Sequence, residues 1–202
     1  MRISRFVVVI VIALAFPSIV AAREPVDPAT LTPPPPPEFN PVCERVGNGI
    51  ICELAFSDPV IVDEPSGVVC GTTELLFSQT RSVVGKRFYD ATGLLLRRHF
   101  HDDVSGTWTN PATGATATFS GGFMNLHDLT VPGDVASGET RSSGSLRIYA
   151  PGGGTILHGD AGHLVIDEAT GEVLAESGQH PFEDFFAHGD LTALDALCDA
   201  LA

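Results

Sequence analysis

The sequence predicts an all-β protein: an antiparallel meander of about eight strands forming a barrel or a sandwich, closed off by a short C-terminal α-helix. Three observations carry this. The first is period-two alternation across His99 to Gly121, where Phe100, Val104 and Trp108 share one parity, extended upstream by Leu94 and Leu96. His99, His101, Asp103, Ser105, Thr107 and Thr109 take the other parity, and after a turn Ala115, Ala117 and Phe119 alternate with Thr116, Thr118 and Ser120. Successive strand side chains point to opposite faces, so one face is buried and one is wet. The second is a turn used three times: Asp90-Ala91-Thr92-Gly93, Asn110-Pro111-Ala112-Thr113-Gly114 and Asp167-Glu168-Ala169-Thr170-Gly171. In each, an Asx side chain can bond the backbone ahead of it and a glycine supplies the positive φ that completes the bend. The third is a change of period near the C-terminus, from two to that of a helix.

Taken in order, residues 1–22 read as a secretory signal peptide. Arg2 and Arg5 give a positive start, Phe6 to Phe16 is an apolar run too short to span a bilayer, and Val20-Ala21-Ala22 supplies small residues for cleavage after Ala22. Losing this segment leaves nine Lys and Arg against 25 Asp and Glu, a formal charge of −16. Nucleic acid and anionic membrane surfaces both need positive charge on their partner, so neither is expected to bind. Residues 23–41 read as a proline-rich linker: Thr32-Pro33-Pro34-Pro35-Pro36-Pro37-Glu38 favours polyproline II or disorder, a spacer ahead of a single domain over residues 42–202.

Four cysteines in a chain bound for an oxidising compartment imply disulfides. A two-residue turn at Gly47-Asn48 places Cys43 opposite Cys52, which leaves Cys70 to pair with Cys198. A zinc site is the alternative, but no CxxC or paired-histidine spacing supports it. From Cys70 onward the expected strands are Thr73–Arg81, Val83–Asp90, Leu94–Thr109, Ala115–Gly121, Met124–Val131, Arg141–Ala150, Thr155–Ile166 and Glu172–Ser177. Phe182, Phe185 and Phe186 are spaced for one helical turn. Asp190 suits the N-cap of a helix from Leu191 to Leu201, whose Leu191, Leu194, Cys198 and Leu201 share a face.

Cys70-Gly71, then a strand pair, then Gly106-Thr107-Trp108-Thr109-Asn110-Pro111-Ala112-Thr113-Gly114, and finally Ala196-Leu197-Cys198-Asp199-Ala200-Leu201 follow one another in an order that resembles secreted actinobacterial proteins of unknown function. The resemblance covers about Cys70 to Ala202. It implies a signal peptide, one β-rich domain and a C-terminal Cys-x-x-Leu, and it brings no activity or catalytic residues.

Candidate chemistry is sparse. His99, His101 and Asp103 share one face of one strand, a way to present two imidazoles and a carboxylate to a metal, and His158-x-Asp160 repeats the pattern later. A cupin-like metal enzyme would add a glutamate shortly after the histidine pair, and none follows. The competing reading is a set of solvent-facing polar positions. No Gly-x-Ser-x-Gly is present, and Gly152-Gly153-Gly154 is not followed by a helix, so neither a serine nucleophile nor a phosphate cradle is expected. His127, His163, His180 and His188 are isolated. The expectation is therefore a secreted, extracellular, non-enzymatic protein with no cofactor. Its partner would be a protein, a cell-wall component or a small apolar ligand. The alternative is a lipocalin-like or cyclase-like barrel that holds the ligand in its interior.

Overall fold

The computed structural model describes residues 23–58, 60–179 and 192–202. The signal peptide, the Phe182/Phe185/Phe186 turn, Asp190 and Leu191, and two of the isolated histidines, His180 and His188, lie outside the described residues.

One antiparallel sheet contains ten strands: β1 (Glu24–Val26), β2 (Val42–Val46), β3 (Gly49–Ser57), β4 (Ile61–Cys70), β5 (Thr73–Tyr89), β6 (Leu95–Thr109), β7 (Thr116–Asp128), β8 (Glu139–Tyr149), β9 (Ile156–Asp167) and β10 (Val173–Gln179). Neighbours follow chain order, except that β3 and β4 share one edge of the long β5, β4 along its first half and β3 along its second. Helix α1 (Thr192–Leu201) completes the chain. The sheet is open. Among the described residues β1 and β10 do not pair, so the meander stands and closure into a barrel does not.

Two expected breaks are absent. Thr73–Arg81 and Val83–Asp90 are one strand, and so are Ala115–Gly121 and Met124–Val131 as far as Asp128. Ser82 and the Gly121-Gly122 pair interrupt the apolar pattern, but both are held in continuous ladders with β6. The three repeated turns form as read. The Asp90 carboxylate accepts from the Thr92 and Leu94 amides (2.8 and 3.0 Å), Asn110 from the Ala112 amide (2.9 Å), and Asp167 from the Thr170 amide (2.8 Å). Gly93, Gly114 and Gly171 all take positive φ.

Both disulfides are present. Cys43–Cys52 crosses the β2–β3 hairpin, and Cys70–Cys198 joins the end of β4 to α1. One face of the sheet carries the core in two clusters. At one end Leu194, Leu197 and Leu201 of α1 cover Val68, Leu75, Ala117, Phe119 and Ile148. At the other, Leu31 packs with Cys43, Ile50, Cys52, Tyr89 and Leu95. The parity of β6 shifts between these ends. Tyr89 pairs with Leu95 and Phe88 with Arg97, so Leu96 is the extra residue of a bulge; Leu95 is fully buried and Leu96, expected inside, is 39% exposed.

Leu31 belongs to the segment expected to be a free spacer. That segment instead carries β1 against β2 and lies across the sheet. Prolines cannot donate, but their carbonyls accept: Tyr89 Oη donates to Pro33 O (3.1 Å) and Arg87 Nη1 to Pro34 O (3.2 Å). Composition read the missing donors correctly and missed these acceptors.

Candidate functional site

Between the two core clusters the same face of the sheet holds a pocket of about 260 Å³. Its floor comes from consecutive rows of cross-strand neighbours. One row is Cys52–Arg87–Arg98–His127, the next Leu54–Gly85–Phe100–Asn125, and the next Phe56–Val83–Asp102. Its roof is Pro36 and Phe39 of the proline-rich segment. The Phe39 ring stacks on Phe56 with centroids 4.9 Å apart and approaches Phe100 at 6.4 Å. Gly85 makes room for the Phe100 ring: a Cβ there would lie 2.4 Å from Phe100 Cδ1. Glycine in a strand interior marks such a close approach.

The polar groups of the pocket are mostly cationic. Three arginines, Arg81, Arg87 and Arg98, line it against one aspartate, Asp102, in a chain of formal charge −14. Arg81 is matched: its Nε lies 2.9 and 3.0 Å from the two Asp102 carboxylate oxygens, and the bond to Asp102 raises its pKa. Arg98 donates from Nε to His127 Nδ1 (2.8 Å), and its Nη2 stands 4.0 Å from Glu168. A guanidinium Nε always carries hydrogen, so His127 is an acceptor at Nδ1 and donates from Nε2 to the Ser137 carbonyl (2.8 Å). Burial pulls the Arg98 pKa below its ordinary value; Glu168 opposes this and the charge of Arg87 adds to it.

Arg87 is the unmatched group. It is 7% exposed and has no carboxylate in salt-bridge range among the described residues. Its Nε is buried without a hydrogen-bond partner. Beside it the Tyr89 hydroxyl is pushed up in pKa by burial, with Arg87 pulling the other way.

The sequence-predicted residues lie on the opposite face. His99 packs its ring against Phe88 (4.9 Å between centroids), and its Nε2 is buried without a partner. His101 Nε2 is 3.2 Å from Asp103 Oδ2, both well exposed. His158 is placed by its backbone on β9, where it pairs with Ile148, three strands from β6 and thus about 14 Å away at ~4.8 Å per strand. Among the described residues no three His, Cys, Asp or Glu side chains gather as a metal site. Both cysteine pairs are oxidised, so no thiol nucleophile remains.

Comparison with protein-family models, with curated proteins and with solved structures gives no match to this chain. The reading of the site rests on its own residues. Sequence reasoning missed Arg87 and Arg98, although a signal was present: Val83, Arg87 and Tyr89 share a parity, which puts a charge on the apolar side of a strand once residues 73–89 are taken as one element.

Proposed function

We propose that this is an extracellular, non-enzymatic binding protein that holds a small, largely apolar molecule on the inner face of its sheet. The observation that supports this most is the aromatic pocket between two otherwise filled cores, walled by Phe39, Phe56, Phe100, Leu54 and Val83 with a few polar groups converging on it. Two disulfides suit an oxidising compartment, as does the signal peptide expected over residues 1–22. Among the described residues no helix is long and apolar enough to cross a membrane.

The test is a fluorescence titration of the protein with N-phenyl-1-naphthylamine, a neutral apolar probe. Saturable binding at one site is expected. Asn125→Trp, which fills the pocket from a half-buried position on β7, abolishes it with the melting temperature preserved. Absence of saturable binding to the unaltered protein, or binding indifferent to Asn125→Trp, overturns the reading. Native against denatured mass of protein recovered from culture medium then reports any molecule already bound.

A further inference from the structure

We propose that the ligand is an organic monoanion whose carboxylate is clamped between Arg87 and Arg98; the proposal rests on the pocket reading above and specifies its chemistry. Arg87 and Arg98 are directly opposed in the β5–β6 register. Like charges in directly opposed cross-strand positions destabilise a sheet, and here one partner is more than nine-tenths buried. A buried charge is tolerated when it is paired and hydrogen-bonded. Among the described residues Arg87 meets one proline carbonyl and the neighbouring Tyr89 hydroxyl, and no carboxylate. Among the described residues the acid facing Arg98 is Glu168 at 4.0 Å, and Asp102 is already held by Arg81. Among the described residues, Arg87 is therefore left without an answering negative charge.

The chemical class follows from the donors. Each guanidinium presents five N–H groups in a planar fork that fits a carboxylate through two parallel bonds. The Arg87 Nε hydrogen is unused. A single negative charge answers Arg87, because Asp102 and Asp58 are held by Arg81 and Glu168 faces Arg98. The rest of the ligand meets phenylalanine, leucine and valine, so it is apolar and fits aromatic walls. The positive pocket does not come from general basicity, since the whole chain is strongly acidic.

The experiment compares 4-phenylbutyrate with 4-phenyl-1-butanol by isothermal titration calorimetry on the intact protein. The carboxylate is expected to bind at least tenfold more tightly than the alcohol. Arg87→Met, which keeps the length of the stem and removes the charge, brings the two within twofold. Arg87→Gln keeps a polar, uncharged side chain and serves the same purpose should the methionine variant fail to fold. Phenyl phosphate, a dianion at neutral pH, is expected to bind more weakly than the carboxylate. Equal binding of acid and alcohol, or a preference that survives both substitutions, overturns the carboxylate clamp while binding of the neutral fluorophore leaves the pocket reading standing. Loss of fluorophore binding as well overturns both.

Discussion

The side-chain amide of Asn110 donates from Nδ2 to the backbone carbonyl of Leu201 over 2.8 Å, and the Thr113 hydroxyl donates to the same oxygen at 3.0 Å. The β6–β7 turn thus supplies the cap that the last turn of α1 lacks. The same Asn110 Oδ1 orders its own turn by accepting from the Ala112 amide. The two jobs need one donor and one acceptor on a side chain only 5% exposed, which is why this turn begins with asparagine where the other two begin with aspartate.

Asn110→Asp is therefore expected to cost about 2–3 kcal/mol, since a carboxylate cannot donate to the Leu201 carbonyl, which keeps only the Thr113 hydroxyl, and it sets a buried negative charge against that oxygen at the negative end of the helix. Urea unfolding measures it. A cost under about 0.5 kcal/mol would show that the cap contributes nothing.

The two disulfides should differ in weight. In the chain-entropy model the Cys43–Cys52 bridge, with a separation of 9 residues, contributes about 2.7 kcal/mol, and the Cys70–Cys198 bridge, with a separation of 128, about 4.9 kcal/mol. Paired serine substitutions at each bridge, followed by urea unfolding, should preserve that order. The Cys70/Cys198 variant should also lose α1 first, seen as early hydrogen exchange over residues 192–201.

Gly85→Ala places a Cβ 2.4 Å from Phe100 Cδ1 and 2.5 Å from the His99 carbonyl. The Phe100 ring can swing aside, but the His99 carbonyl belongs to the β5–β6 ladder, so the strands must also spread locally. A loss of about 1–3 kcal/mol is expected, together with weakened fluorophore binding, because Phe100 is a wall of the pocket. Unchanged binding in a destabilised variant would separate the packing role from the site.

Burial holds the pKa of His99 below the ordinary histidine value, with Arg97 adding to the shift and Asp128 opposing it. The unfolded chain then takes up the proton more readily than the folded one. Protonation therefore favours unfolding: the penalty begins as pH falls below about 6.5 and is complete below the folded value. Urea midpoints at pH 7.5 and 5.5 should fall for the unaltered protein and fall less for His99→Gln. Asp90 and Asp167 are shifted down, chiefly by hydrogen bonds from Thr92 and Thr170, so their contribution is present at neutral pH and is lost only further down, as pH drops through the carboxylate range. A midpoint that is flat between pH 7.5 and 5.5 would contradict the role given to His99.

Much of the architecture was legible because the signals are local. The Asx–Gly turns carry their own hydrogen bonds, the Gly47-Asn48 hairpin sets Cys43 against Cys52, and the parity of Phe100, Val104 and Trp108 names the inner face correctly. The errors were also local readings carried too far. Ser82 and Gly121-Gly122 look like breaks in one dimension and are ladder positions in two. Leu96 counted as buried until a bulge moved Leu95 into its place.

By itself, the sequence determined the strand periodicity, the turns, the Cys43–Cys52 pairing and the C-terminal helix, because each depends on residues a few positions apart or on parity along one strand; the Cys70–Cys198 bridge, 128 residues apart, followed only by elimination. The tertiary structure alone decided the site. It brought Arg87 opposite Arg98 through the β5–β6 register, and it laid Pro36 and Phe39 over them from a segment that composition marks as a spacer. It also set His99 and His101 on the face away from that pocket. Register and long-range packing depend on the total burial of the sheet, and no short stretch of this chain carries that information.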